Sequence, residues 1–113
     1  MGCRGNIQIQ FSNKKSIYFY THWRGDSIRE VVQAALRRRQ RWGYESYLAR
    51  MIFCELVKGH ESEESGYGIA PYIPANEHPI VKVIPSTQTV MIGRKSYTFE
   101  AFINEDRPEI LHI

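Results

Sequence analysis

The sequence predicts an α+β domain: an N-terminal β-hairpin, two consecutive helices, then antiparallel strands completing one sheet. Apolar residues alternate with period two through Ile7, Ile9 and Phe11, and again through Ile17 and Phe19. After Gly25 the spacing changes to the helical period, and after Gly66 it returns to two. Helices are thus grouped between runs of strands rather than alternating with them, which is the pattern of α+β architecture.

The hairpin turns at Ser12-Asn13-Lys14-Lys15, between the strand of Ile7, Ile9 and Phe11 and a strand over residues 17–23. Gly25-Asp26-Ser27 breaks the second strand, and Ser27 with Glu30 three positions on forms a capping-box pattern. The first helix then runs to about residue 41. Ile28, Val31, Val32, Ala35 and Leu36 share one stripe, with Arg29, Glu30, Gln33 and Arg37 opposite and Gly43 as the stop. A second helix spans about residues 45–58. Tyr44, Leu48, Met51, Ile52 and Leu56 form one face, yet Tyr47, Phe53, Cys54 and Val57 cover much of the rest. A helix apolar nearly all round is expected to be buried on several sides, by the sheet, the first helix or a partner subunit. Residues 59–66 form an acidic loop, followed by residues 67–72, a Pro-marked turn and strands over 78–84 and 87–92. For residues 97–104 the pattern fits either a strand or a helical turn.

One domain over residues 1–113 suits the length, and the composition, 42% hydrophobic and 24% charged, has no signature of disorder. No apolar run approaches the roughly 20 residues that span a bilayer, and no secretory signal precedes the first strand. Position 6 is Asn6 rather than Ser or Thr, which argues against myristoylation after Met1-Gly2-Cys3. Cys3 and Cys54 read as free thiols of a cytosolic protein. A domain this small gains from a shared core, so a homo-oligomer is expected.

The residues richest in chemistry lie at the end of the second strand. Ile17 and Phe19 point to one face, and Tyr18, Tyr20 and His22 to the other, leading into Trp23, Arg24 and Gly25. Aromatic planes, an imidazole and a guanidinium together suit a flat, polar, anionic ligand such as a nucleotide. Arg50 and Glu55 interrupt the apolar second helix. Glu55 is expected inside the apolar stripe, paired with an arginine, and Arg50 is either that partner or a phosphate clamp. Tyr67-Gly68 offers a stacking ring and room for backbone approach, or simply a half-buried sheet residue. Asn76-Glu77-His78-Pro79 offers donors and acceptors for a base edge or ribose, or simply a turn.

His22, His60, His78 and His112 show no metal-binding spacing, and no metal or cofactor is expected. His22 and His78 as acid and base would serve a metal-independent cyclic-nucleotide phosphodiesterase. The His-x-Thr or His-x-Ser pairs of two-histidine phosphoesterases are absent, however, as are a phosphate loop and a nucleophile elbow. The cluster Arg37, Arg38, Arg39 and Arg41 makes nucleic-acid binding a further alternative, against which stand the small net charge of +3 and a cluster not interleaved with exposed aromatics.

Taken together, Tyr20-Thr21-His22-Trp23-x-Gly25, Tyr47-Leu48-Ala49-Arg50-Met51-Ile52, Gly66-Tyr67-Gly68-Ile69 and Asn76-Glu77-His78-Pro79-Ile80 resemble segments of a family of small phage and prophage proteins, the Thoeris anti-defence sponges. The resemblance runs from residue 5 to about residue 92. It implies a non-enzymatic protein of the bacterial host cytoplasm that sequesters cyclic ADP-ribose isomers made by TIR-domain enzymes. It also implies dimers or hexamers, with separate pockets for cyclic oligonucleotides. On this reading Trp23 or Tyr67 stacks on adenine, Arg50 meets phosphate, and Asn76 with Glu77 binds ribose or base edges. His22, Gly68 and His78 complete the site. Arg24 stands where an acidic residue is expected in many relatives, and the stretch after Ile92 matches least.

Overall fold

The computed structural model describes residues 2–105. His112 and the last residues of the chain lie outside them. In chain order the elements are β1 (Gly5–Gln10), β2 (Ser16–Thr21), a 3-10 turn (Gly25–Ser27), α1 (Ile28–Arg37), α2 (Glu45–Val57), β3 (Tyr67–Ala70), β4 (Val81–Ile84), β5 (Thr89–Ile92), β6 (Lys95–Thr98) and α3 (Phe99–Ile103). This is the mixed α+β architecture expected, with the two longer helices consecutive. The six strands form one sheet in the order β3-β2-β1-β4-β5-β6.

Four of the five pairings are antiparallel, but the central one, β1 with β4, is parallel, with Ile7 opposite Val81 and Ile9 opposite Val83. A parallel neighbour needs a long crossover. Here β2, α1, α2 and β3 lie between the two strands, and β3 extends the sheet at the outer side of β2.

One face of the sheet carries Ile7, Ile9, Phe19, Val81, Val83 and Val90, all buried and in one core with the apolar stripes of the three helices. Each such side chain contributes roughly 1.5–3 kcal/mol by leaving water. The exposed Arg39–Glu100 and Arg4–Glu77 ion pairs are screened by water and add little. Apolar burial therefore dominates the fold. The opposite face is half-exposed and carries Gln8, Tyr18, Tyr20, Lys82 and Met91.

Local chemistry explains the boundaries. At the hairpin tip Lys14 takes a positive φ of 73°, and the Asn13 side chain accepts from the Lys15 N–H at 3.0 Å. The Glu45 carboxylate in the first turn of α2 accepts from the Ser12 N–H and hydroxyl, both at 3.0 Å, and ties the helix to that tip. Residues 97–104 divide between both expected forms: β6 ends at Thr98, whose hydroxyl caps α3 by accepting from the Ala101 N–H at 3.0 Å.

Several expectations are corrected. α1 stops at Arg37, not near Arg41, because Arg39 and Arg41 take positive φ values of 53° and 57°. The Trp42 indole meanwhile donates to the Leu36 carbonyl in the last turn. The capping box at Ser27 does not form; its hydroxyl donates to the Arg24 carbonyl instead, and the 3-10 turn leads the chain into α1. Glu55 is half-buried at the edge of the apolar stripe rather than within it. α2 is covered on one side only. Leu48, Met51, Ile52 and Leu56 are buried, whereas Tyr44, Tyr47, Arg50 and Cys54 are exposed. Among the described residues, no helix is long and apolar enough to cross a membrane.

Candidate functional site

The expected site residues separate into two regions. At the end of β2, the buried Thr21 hydroxyl accepts from the N–H groups of Trp23 at 3.2 Å and Arg24 at 3.0 Å, and so turns the chain out of the sheet. His22 is held on both sides: its N–H donates to the Gly66 carbonyl at 2.8 Å, and its carbonyl accepts from the Cys3 N–H at 2.6 Å. Its Nδ1 lies 3.1 Å from the Tyr20 hydroxyl, the i and i+2 contact expected on one sheet face. Trp23 is 53% exposed and meets His22 edge-on at 4.3 Å. The indole rests on Gly66, where any Cβ would sit 2.4 Å from Nε1.

Tyr67 is half-buried against the core and stacked on His60 at 5.7 Å, so its ring already has a partner. Gly68 borders open space. Arg24 reaches under the end of α2 and donates to the Leu56 carbonyl at 3.0 Å, a cation on the negative pole of the helix.

Asn76, Glu77 and His78 close the same end of the sheet, but their polar groups are largely engaged within the chain. Asn76 donates to the His78 carbonyl at 2.5 Å and accepts from the buried Asn6 amide at 3.1 Å. That Asn6 amide also donates to the Ala75 carbonyl at 2.6 Å. Glu77 and Arg4 bind each other reciprocally. The carboxylate accepts from the Arg4 N–H at 2.9 Å and faces its guanidinium at 3.4 Å, and the Glu77 N–H donates to the Arg4 carbonyl at 2.9 Å. The Arg4 backbone N–H, with smaller help from the nearby positive charges, holds the Glu77 carboxyl below its ordinary range. The ring of His78 lies 3.0 Å from the Cys3 sulfur and lines a cavity of about 250 Å³ with Gly25, Asp26, Ile28, Arg29, Pro79, Val81 and Ile92. His22 is not part of that lining.

Arg50 stands elsewhere. With Gln40, Arg41, Tyr47 and Met51 it lines a cleft of about 440 Å³ that shares no residue with the cavity at His78. Arg50 and Tyr47 are three apart on α2 and so neighbours on one helix face. Arg41 arrives from the connection after α1. Its positive φ directs the guanidinium over the exposed rings of Tyr44 at 4.9 Å and Tyr47 at 4.7 Å. Among the described residues, neither Arg41 nor Arg50 has a carboxylate partner; the contact of Arg50 is with the Cys54 sulfur at 3.9 Å.

Other arginines contrast with this pair. Arg39 is bound to the two Glu100 oxygens at 2.7 and 2.6 Å, Arg37 donates to the Ile103 carbonyl at 2.9 Å, and Arg29 is paired with Glu105. The hydrogen bond to Arg39 holds the Glu100 carboxyl below its ordinary range.

The structure thus gathers His22, Trp23, Asn76, Glu77 and His78 at one end of the sheet and leaves Arg50 out. Sequence reasoning missed Arg41, Tyr47 and Gln40 as companions of Arg50, and it took the arginine cluster to lack exposed aromatics. Tyr44 and Tyr47 supply them. The i, i+3 spacing of Tyr47 and Arg50 was the available signal. Among the described residues, no group of three or more His, Cys, Asp and Glu is placed to hold a metal ion. Comparisons with models of known protein families, with curated proteins and with solved structures gave no match.

Proposed function

We propose that this protein binds and holds a phosphate-bearing nucleotide of the cyclic ADP-ribose type, without cleaving it, in the cleft of Arg41, Tyr47 and Arg50. The observation that carries this reading is the convergence beside an exposed aromatic ring of two guanidinium groups that have no carboxylate partner among the described residues. Guanidinium forks suit phosphate oxygens, and a tyrosine face suits a base. At about 440 Å³ the cleft falls within the roughly 300–1,000 Å³ of small-molecule sites, whereas the cavity at His78 falls below it.

The anti-defence role, in the cytoplasm of a bacterial host, rests on the resemblance of the four sequence segments. The engaged groups of Asn76, Glu77 and His78 make that end of the sheet a scaffold in this reading, with Trp23 as its exposed ring. A phosphodiesterase using His22 and His78 would need both imidazoles at one substrate, and the cavity beside His78 is not lined by His22. An extended nucleic-acid track would need Arg37 and Arg39, whose guanidiniums are already bound.

The decisive experiment is incubation with cyclic ADP-ribose isomers, removal of free nucleotide, heat denaturation and analysis of what is released. Intact nucleotide supports sequestration. Altered nucleotide establishes turnover, and no retained nucleotide removes the reading. Oligonucleotide binding that falls steeply with salt would favour the nucleic-acid alternative instead.

Self-association belongs to the same proposal. A groove of about 280 Å³ between α2 and the β2–β3 edge is lined by Phe11, Ile17, Phe19, Ala49, Phe53 and Ile69, with Ser46 and with Arg50, which also lines the nucleotide cleft. Ile69 itself is 57% exposed. A second copy covering this groove would account for the apolar breadth of α2. Light scattering that gives a monomer mass at tens of micromolar would overturn it.

A further inference from the structure

Two left-handed residues flank Gln40 in the connection between α1 and α2. Arg39 and Arg41 take positive φ values of 53° and 57°, a conformation unfavourable for residues that bear a Cβ. Such residues persist where surrounding contacts hold them, and they collect at functional sites. Both are held here. The Arg39 guanidinium is bound to the two Glu100 oxygens at 2.7 and 2.6 Å and lies 5.6 Å from the centre of the Trp42 ring. The Arg41 guanidinium lies over Tyr44 and Tyr47, and its carbonyl accepts from the Tyr44 N–H at 3.0 Å. Gln40 is thus anchored through both neighbours, yet its own side chain is exposed and has no hydrogen bond among the described residues. It lines the cleft of about 440 Å³ with Arg41, Tyr47, Arg50 and Met51.

We propose that Gln40 determines the base specificity of this cleft: its amide reads the edge of an adenine whose ring rests against Tyr47. The inference rests on the reading of the cleft as a nucleotide site. The lining divides by chemistry. Arg41 and Arg50 offer charged donors to phosphate, Tyr47 offers a flat ring, and Met51 is buried and apolar. Gln40 is the one amide among the described lining residues. A guanidinium only donates, whereas an amide donates and accepts side by side. Adenine carries the complementary pair on either of its two edges: the exocyclic amino group donates, and the ring nitrogen beside it accepts. The Gln40 carbonyl therefore accepts from the amino group while its NH2 donates to the ring nitrogen. Anchoring of the backbone on both sides lowers the ordering cost of that pairing.

The test titrates the folded protein calorimetrically with ADP, and with ADP dimethylated at the exocyclic amino group, which can then no longer donate. Wild type should bind the dimethylated form at least about tenfold more weakly, the discrimination that a bidentate amide–adenine pair supplies. Gln40→Ala should bind ADP about tenfold more weakly than wild type does, and dimethylation should then cost little more. Its melting temperature should match that of wild type, because the side chain is exposed. Equal affinity of wild type for the two nucleotides overturns the proposal. A Gln40→Ala variant that keeps the discrimination overturns it as well, and leaves Gln40 a solvated residue of the connection. A large fall in the melting temperature of Gln40→Ala would give the side chain a structural role instead. Absence of ADP binding at millimolar concentration also overturns the assignment of Gln40. The nucleotide reading of the cleft falls separately, and only if the cyclic ADP-ribose isomers also fail to be retained.

Discussion

The end of the sheet at His78 and the cleft at Arg50 hold similar side chains in opposite states. At the sheet end, Asn76, Glu77, Arg4, His78 and the Asn6 amide nitrogen are hydrogen-bonded within the chain, while the buried Asn6 Oδ1 has no partner among the described residues. In the cleft, Arg41 and Arg50 face solvent with no carboxylate partner among the described residues, beside the exposed ring of Tyr47. A polar cluster that satisfies itself builds structure, whereas one left unsatisfied at the surface is available to a ligand. Counting polar residues does not separate the two; following each donor to its acceptor does.

The largest effect expected of any single change falls at the sheet end. A Cβ at Gly25 would lie 2.6 Å from the Cys3 carbonyl oxygen and 2.7 Å from the Arg4 carbonyl carbon, and a Cβ at Gly5 would lie 2.7 Å from the Gly25 Cα. Gly25→Ala should therefore cost about 3 kcal/mol of stability, as overpacking against backbone does, and lower the melting temperature. A variant that melts like the wild type would show that this end is looser than described.

The cleft is tested by Arg50→Ala. Loss of a charge-assisted contact worth roughly 1.5–3 kcal/mol should weaken nucleotide binding on the order of tenfold to a hundredfold. The melting temperature should barely move, because Arg50 is exposed. Calorimetric titration and thermal melting of the same sample check both. A large fall in melting temperature with affinity unchanged would reverse the assignment of the two regions.

Asn6→Ala sharpens the contrast at intermediate size. Asn6 is fully buried, and its amide bridges β1 to the turn before β4. Its removal should cost roughly 1–2 kcal/mol, read from denaturant unfolding, with nucleotide affinity of the folded protein retained.

The smallest effect concerns pH. The Glu77 carboxyl lies below its ordinary value of 4.5, chiefly through the Arg4 N–H. A carboxyl with a depressed folded-state value stabilises the fold above its unfolded value, and that stabilisation is lost as pH falls through the folded value. Melting temperature should thus decline on acidification below 4.5. Glu77→Gln should decline less steeply over that range, and equal slopes would mean that the Arg4 contact adds nothing.

The sequence by itself determined the order from hairpin through two helices to the later strands, and which apolar side chains enter the core. Alternation placed Ile7, Ile9 and Phe19 toward the core, and helical spacing placed Val31, Val32, Leu36, Leu48, Ile52 and Leu56 there too. These are short-range consequences of backbone geometry, repeated often enough to be read without a structure. The i, i+3 spacing of Tyr47 and Arg50 carried the same kind of signal, but it went unread, because the apolar breadth of α2 reads as burial of Tyr47.

Tertiary structure decided the rest. The parallel pairing of β1 with β4, the contact of Cys3 with His78, and the grip of Asn6 on Asn76 all join residues about 70 or more positions apart. Periodicity says nothing about which distant segments meet. Arg41 reaches Tyr44 and Tyr47 where the chain between α1 and α2 adopts positive φ at arginines rather than at glycine, a conformation that local preference disfavours and so does not reveal.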